Sequence, residues 1–115
     1  MAKIKSFEDM VCWQKSKSLS LEVYTCFKNC KDFAFKNQIE RAALSIMNNL
    51  AEGFERQSNK EFRQFLYIAK GSSGEVRSML FIAKDLGYIS SDNFDKLYLS
   101  SLEISKTISG LIKTL

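Results

Sequence analysis

The sequence contains neither histidine nor proline, and the first absence bears directly on function. Histidine is the commonest general base of enzymes, so the Ser–His and Cys–His arrangements of nucleophilic catalysis are excluded. The Glu-x-x-His ligand pattern of di-iron helix bundles is excluded as well. No pair among the 13 acidic residues has a spacing that singles it out for acid–base work. We therefore expect a protein that is not an enzyme, with catalysis by lysine and carboxylates as the weaker alternative.

The absence of proline bears on the fold. Proline breaks helices, so a chain without it suits long uninterrupted helices joined by short turns. A complete lack of proline is unusual for a loop-rich or all-β protein. No apolar run approaches the roughly 20 residues that cross a bilayer, and we expect no membrane partner.

Cysteine is scarce: the three residues are Cys12, Cys26 and Cys30. Three thiols cannot all pair within one chain, and no segment resembling a signal peptide precedes them, so we expect a reducing cytoplasm. Two thiols four residues apart, without a histidine, make a poor metal site. We predict that these cysteines are small apolar fillers, and we expect neither a metal nor a cofactor.

The basic excess is small and evenly spread. Residues 1–57 hold nine basic and seven acidic side chains, and residues 58–115 hold eight and six, which gives the net charge of +4. No tail concentrates the charge, so any basic surface must be assembled by helix periodicity. A modest excess permits contact with RNA or DNA but does not require it.

The length of 115 residues suits one domain, and four segments carry helical periodicity. They predict a single domain, 1–115, with helices at about 7–29, 36–54, 59–86 and 92–114. Gly87 is a residue type favoured just past helix ends, and Ser90 or Ser91 can cap the fourth helix. Because short connections force neighbouring helices antiparallel, we predict an all-α, antiparallel up-and-down four-helix bundle.

Two further pairs resemble helix starts. Ser6 with Asp9 has the pattern of a cap on the first helix. Ser58 with Glu61 satisfies the reciprocal capping box ahead of the apolar Phe62, which makes it the clearest start in the chain.

The third predicted helix has a broad apolar arc. Its first inward heptad position holds Phe62, Ala69, Val76 and Ala83, and the next holds Phe65, Ser72, Met79 and Leu86. The flanks hold Leu66, Ser73 and Leu80 on one side, and Ile68 and Ile82 on the other. This arc is wider than a two-position seam needs. Either this helix is the most buried one, or its surplus face packs against another chain; we favour the second.

Four small residues, Gly71 to Gly74, interrupt that helix. The segment lacks the Gly-Lys-Ser/Thr ending of a phosphate-binding loop, and the α/β surroundings of a KH-type clamp are missing. We predict instead that it lets a neighbouring helix approach closely, at a cost of about 1 kcal/mol per glycine relative to alanine.

A polar stripe lies beside the apolar face of the second predicted helix, formed by Gln38, Arg41, Ser45, Asn49, Glu52 and Arg56. Glu52 and Arg56 have the spacing of an i,i+4 ion pair. The stripe is either a solvated face or a hydrogen-bonded network against another helix. Glu75, flanked by apolar residues on the third helix, needs a partner if it is buried, and we predict Arg41 or Arg56.

Basic residues recur at every seventh position along the third predicted helix: Arg63, Lys70, Arg77 and Lys84. The adjacent line holds Lys60, Tyr67 and Phe81. Cations at intervals of about 10 Å, interleaved with exposed aromatic rings, suit a phosphate backbone and stacked bases. The alternative is that basic residues merely occupy the polar side of an amphipathic helix.

The central part of the chain resembles a bacterial family, the 23S rRNA intervening-sequence proteins, also called the four-helix bundle proteins. The matching residues are Gln38, Arg41, Ala42, Ser45, Ile46, Asn49, Ala51, Glu52, Gly53, Arg56, Phe62, Phe65, Gly71 and Ser72. The start also matches, at Phe7, Val11, Trp13 and Lys15, as does the turn Gly87-Tyr88-Ile89. Two departures are Met47 and Phe27-Lys28, where the family usually has proline after Ser-Ile and a Phe-Pro turn.

The resemblance implies an up-and-down bundle that often assembles as a homopentameric barrel. A related protein, the accessory variability determinant of diversity-generating retroelements, forms such a basic ring and partners a reverse transcriptase and nucleic acid. We carry no retroelement function onto this chain, since only the bundle pattern supports it.

Two hypotheses of function follow. The first is a non-enzymatic, oligomeric protein that binds RNA or DNA, or that scaffolds a ribonucleoprotein, through the basic stripe of the third helix. The second is a protein–protein interaction module that docks a partner through the surplus apolar face. Salt-sensitive nucleic-acid binding and the oligomeric mass separate the two.

Overall fold

The computed structural model of the chain describes residues 4–115. Within that range it contains four α-helices, namely α1 (Val11–Cys26), α2 (Phe33–Phe54), α3 (Asn59–Asp85) and α4 (Ser91–Lys113). Each helix contacts the next along the chain, and α4 returns to contact α1. The prediction of an all-α, up-and-down four-helix bundle is confirmed. The molecule is a rod of 44 × 23 × 19 Å.

All four helices contribute to one apolar core. The side chains that are 0 % exposed include Leu19, Val23, Ile39, Ile46, Leu50, Leu66, Leu80, Leu97, Ile104 and Ile108. Burial of one such side chain stabilises the fold by about 1.5–3 kcal/mol. No helix in residues 4–115 is long and apolar enough to cross a bilayer.

The first predicted helix, 7–29, is wrong at both ends. A short 3-10 helix, Phe7–Asp9, precedes α1, and the extended backbone of Met10 separates the two. This break places the Met10 side chain, 2 % exposed, in the core. The Ser6 hydroxyl donates to Asp9 Oδ2 at 3.2 Å and accepts no backbone N–H, so the predicted cap on the long helix is wrong.

The second helix begins at Phe33, three residues before the predicted start. Asp32 caps it, because its Oδ1 accepts the N–H of Phe35 at 3.1 Å. Oδ2 of the Asp32 carboxylate also accepts a hydrogen bond from the Tyr88 hydroxyl at 2.7 Å. One carboxylate therefore both starts α2 and ties it to the turn between α3 and α4.

The ends of α3 follow local signals closely. Ser58 Oγ accepts the N–H of Glu61 at 3.2 Å, as expected of a cap, although the Glu61 carboxylate accepts the Ser58 hydroxyl rather than a backbone N–H. Gly87 has φ +74°, and the N–H of Tyr88 returns to the carbonyl of Ala83 at 2.8 Å. This is the six-to-one bond of a Schellman turn. Of the two candidate serines, Ser90 caps α4.

The inward face of α3 is rotated from the predicted seam. The first predicted position is inward, but the second lies at the edge: Phe65, Ser72 and Met79 are half-buried and Leu86 is exposed. The flank Leu66, Ser73 and Leu80 is fully buried in its place. Because α4 packs on that flank, the surplus apolar arc is displaced outward, beside α2.

Candidate nucleic-acid interface

The cations of α3 are distributed along its α4-facing side. These cations are Lys60, Arg63, Lys70, Arg77 and Lys84. None of them takes part in a side-chain salt bridge among residues 4–115. Lys60, Lys70 and Lys84 are exposed, while Arg63 and Arg77 are half-buried. Along the predicted stripe, the three lysines are therefore more open to solvent than the two arginines.

Arg77 turns inward, to the junction of α3 and α4. Its Nη1 donates to Ser105 Oγ at 2.8 Å and to the Ser101 carbonyl oxygen at 3.1 Å. The hydroxyls of Ser73 and Ser105 complete the cluster, 2.9 Å apart. A guanidinium carries five donors, which suits a pocket of carbonyl and hydroxyl acceptors. Arg77 thus joins the two helices.

Arg63 is also engaged, near the end of α4. Its Nη2 donates to the main-chain oxygen of Leu115 at 2.5 Å. This contact holds the guanidinium beside the last turn of α4.

The ring of Phe81 belongs to an aromatic cluster, and about half of this residue is exposed to solvent. Its centroid lies 5.2 Å from that of Phe94 and 5.8 Å from that of Tyr98, both in edge-on geometry. The ammonium of Lys84 sits 4.6 Å from the Phe94 centroid, a cation–π contact. This end of the predicted stripe therefore has packing roles of its own.

At the opposite end, α3 and α4 form a shallow recess of about 310 Å³. Its lining residues are Tyr67, Lys70, Ser109, Ile112 and Lys113, and no carboxylate is among them. Tyr67 is 55 % exposed. The three α4 residues were missed from the sequence, because only the antiparallel pairing of α4 with α3 brings them beside Tyr67.

Several polar side chains of the second-helix stripe form hydrogen bonds between α2 and α3 or within α2. The Ser45 and Ser72 hydroxyls are 2.9 Å apart, and Asn49 donates to Ser45 Oγ at 3.0 Å. The i,i+4 pair also exists, with Arg56 donating to Glu52 at 2.8 Å. Part of the stripe is therefore a hydrogen-bonded helix contact and not a merely solvated face.

The predicted partner of Glu75 is wrong. Gln38 Nε2 donates to Glu75 Oε2 at 2.6 Å, and neither Arg41 nor Arg56 reaches that carboxylate. Glu75 is exposed, so it does not need a buried cation to offset desolvation. Arg56 instead lies over the Phe65 ring at 4.7 Å. Arg41 is exposed and forms no salt bridge within residues 4–115.

An apolar row accompanies this network on the outer side of α3. Ile68 and Ile82 are each 51 % exposed, and Leu86 is 58 % exposed. Together with the half-buried Met79, they form the displaced part of the broad arc. We call Ile68, Ile82 and Leu86 the outer apolar row.

The predicted close approach at Gly71 and Gly74 is wrong. A Cβ at Gly71 would meet nothing within 4 Å, and one at Gly74 would meet only the Arg77 guanidinium at 3.7 Å. The close approach occurs at Gly53 on α2, where a Cβ would stand 2.6 Å from Phe65 Cβ. The serines between the two α3 glycines make the polar contacts with neighbouring helices instead.

Comparison with known proteins gives two findings. The model of a family described as 23S rRNA-intervening sequence protein matches residues 8–110. The fold is similar to the crystal structure of a protein of unknown function from the S23 ribosomal protein family of Bacteroides thetaiotaomicron, with a TM-score of 0.85 and 27 % identity. That similarity covers 90 % of this chain and 99 % of the other. No curated protein matches.

Proposed function

Because the chain belongs to the 23S rRNA-intervening sequence protein family, we propose that it is a non-enzymatic, self-associating scaffold that binds nucleic acid. The α3–α4 face holds the nucleic acid, and the α2–α3 face holds a second copy of the chain. The absence of histidine supports a role without catalysis. A reducing cytoplasm suits the three free thiols.

One observation carries the nucleic-acid part of the proposal: the exposed lysines of α3 form no salt bridge within residues 4–115. Surface lysines that lie beside acidic residues are neutralised locally, whereas unpaired ones leave a positive field that attracts phosphates. Lys60, Lys70 and Lys84 are the exposed members of this set.

The test is a salt-titrated binding measurement with labelled RNA and DNA. The variant Lys60→Glu/Lys70→Glu/Lys84→Glu is expected to lose retention and to flatten the dependence of affinity on salt. Its matched control is Lys17→Glu/Lys28→Glu/Lys31→Glu, which makes the same change of charge at exposed positions before α2. Equal losses in both variants, or no binding by the unaltered protein, would reject this surface.

Self-association is supported by the outer apolar row and by two unmatched charges. Ile68, Ile82 and Leu86 are each more than half exposed on one side of α3. Arg41 on α2 has no paired carboxylate within residues 4–115, and Glu75 on α3 has no paired cation there. Because these unmatched charges have opposite signs, Arg41 of one copy pairs with Glu75 of the next, in the head-to-tail contact that a ring requires.

Native mass measurement tests the assembly. The protein is expected at a multiple of 13.2 kDa, five copies being the number that the family resemblance implies. Arg41→Glu and Glu75→Arg should each weaken the assembly, and the double variant should restore it. Ile68→Lys/Ile82→Lys should yield a monomer, whereas the control Leu21→Lys/Leu99→Lys, at exposed positions on α1 and α4, should not.

The second candidate is a protein-interaction module whose outer apolar row docks a different protein. The exposure of Ile68, Ile82 and Leu86 favours it equally. A monomeric mass at high concentration, together with the absence of nucleic-acid binding, would favour this candidate over the scaffold.

A further inference from the structure

The recess between α3 and α4 combines an aromatic ring with cations from two helices. Tyr67 and Lys70 lie on its α3 side, and Lys113 lies on its α4 side. We infer that this recess binds single-stranded nucleic acid, with one unpaired base stacked on Tyr67 and the adjoining phosphates held by Lys70 and Lys113. The inference rests on the proposed function and specifies its ligand class.

Tyr67 is the aromatic residue of α3 best placed for stacking. It takes part in none of the ring pairs within residues 4–115, and it is 55 % exposed. Phe81, the other exposed ring on this helix, already packs edge-on against Phe94 and Tyr98. The ring of Tyr67 is therefore more than half exposed and has no aromatic partner within residues 4–115.

The electrostatics of the recess favour a phosphate backbone. No carboxylate lines it, and Ser109 supplies a hydroxyl at its rim. Arg63 lies one helical turn before Tyr67, and its guanidinium, held by the main-chain oxygen of Leu115, adds positive charge near the recess. A strand that crosses from α3 to α4 thus meets positive charge on both sides of the ring.

Stacking distinguishes a single strand from a duplex. In a duplex both faces of each internal base are covered by its neighbours, so Tyr67 has no base face to contact. In a single strand a base can splay out and stack on an aromatic side chain, largely independent of its identity. A duplex could use only the lysines, and its affinity should then depend on salt but not on the Tyr67 ring.

The experiment measures fluorescence anisotropy with three labelled probes of about 15 nucleotides, a length near the upper end of single-strand site sizes. The probes are oligo(U), oligo(dT) and a DNA duplex of equal length. Tyr67→Leu should weaken binding of both single strands by at least about fivefold and leave duplex binding unchanged. Tyr24→Leu is the matched control, since Tyr24 is 45 % exposed on α1.

Charge variants examine the lysines in the same assay. Lys70→Glu/Lys113→Glu should weaken both single strands more than Lys17→Glu/Lys28→Glu, which has the same net charge. A loss for oligo(U) and oligo(dT) alike supports backbone and base-face recognition. A loss confined to oligo(U) overturns it, because the contact would then depend on the ribose hydroxyl.

If Tyr67→Leu folds poorly, a second variant that introduces a fluorescent ring at the recess still tests the inference. Tyr67→Trp preserves the ring, and only one other tryptophan, Trp13, contributes background. Its emission should be quenched by single strands and not by duplex. Unquenched emission, or duplex binding as sensitive to Tyr67→Leu as single-strand binding, overturns the inference while nucleic-acid binding itself stands. Absence of binding to all three probes instead rejects the proposed function.

Discussion

The guanidinium of Arg77 and the hydroxyl of Ser105 are 2.8 Å apart, with Arg77 on α3 donating to the serine on α4. The same nitrogen donates to the Ser101 carbonyl oxygen, and Ser73 links the two acceptors. A hydrogen bond from a charged donor contributes about 1.5–3 kcal/mol. The cluster is therefore a fixed joint between two helices.

Removal of this joint should destabilise the bundle. Arg77→Ala leaves the acceptors on α4 without their charged donor, and we expect the free energy of unfolding to fall by about 2–3 kcal/mol. Urea denaturation followed by circular dichroism measures the loss. Lys70→Ala, one heptad earlier and exposed, should change stability by less than about 0.5 kcal/mol. Equal effects at the two positions would contradict this role for Arg77.

Replacement of glycine by alanine should lower the stability of the protein at Gly53 on α2 and raise it at Gly71 on α3. At Gly53 an added Cβ would stand 2.6 Å from Phe65 Cβ and 3.1 Å from Phe62 Cδ1, so Gly53→Ala forces the backbones apart at a cost of about 1–3 kcal/mol. At Gly71 the space is open, and Gly71→Ala should gain up to about 1 kcal/mol from helix propensity. Thermal unfolding of both variants measures these changes in stability. A Gly53→Ala variant that is more stable than the unaltered protein would refute the close contact.

Stability should fall in acid partly through Asp32. The Tyr88 hydroxyl and the Phe35 N–H hold the pKa of Asp32 below its ordinary value. A carboxyl with a depressed pKa contributes stability that is present above its unfolded pKa, near pH 4, and lost as pH falls through the folded pKa. Asp32→Ala should therefore be less stable than the unaltered protein at pH 7, and the difference should shrink below about pH 4.

The same hydrogen bond has a consequence at alkaline pH. The Asp32 carboxylate raises the pKa of Tyr88. The contribution of Tyr88 is present below its unfolded pKa, about 10, and is lost as pH rises through the raised folded value. Tyr88→Phe should remove this alkaline component in urea midpoints measured across pH. The control is Asp32→Asn, which retains the capping oxygen. For both predictions, a profile of stability against pH for Asp32→Ala that runs parallel to that of the unaltered protein would refute the link between Asp32 and Tyr88.

The three thiols should differ in reactivity. Burial raises the pKa of Cys12, which is 2 % exposed, and burial together with the Glu22 carboxylate raises the pKa of Cys26. Thiolate is the reactive form, so iodoacetamide near pH 8 should modify Cys12 slowest. Peptide mass spectrometry gives the three rates, and urea should make them similar. Fast labelling of Cys12 in the folded protein would contradict its place in the core.

Local signals were sufficient where a helix end depends on a few adjacent residues. Ser58 and Gly87 mark the limits of α3 because a cap and a left-handed turn involve only their own neighbours. Met10 and Asp32 were missed, since the first breaks a helix in order to reach the core and the second is held by a tyrosine 56 residues away. Those contacts exist only after the bundle has closed.

The candidate site was harder to predict than the fold for the same reason. Lys70 and Arg77 share one heptad position, and the periodicity of α3 alone treats them alike. The difference between them comes from Ser101 and Ser105, which stand opposite Arg77 on α4. Lys113 joined Tyr67 in the same way, through the pairing of two helices and not through spacing along one.

The bonds between Arg77 and α4 also fix how far that helix can slide along its neighbour. A shift by one turn, about 5.4 Å, would separate the guanidinium from Ser101 and Ser105 together. The same shift would carry Lys113 away from Tyr67 and Lys70. Arg77 thus contributes to the axial register of Lys70 and Lys113, and we expect a change at Arg77 to alter the geometry of a recess that it does not line.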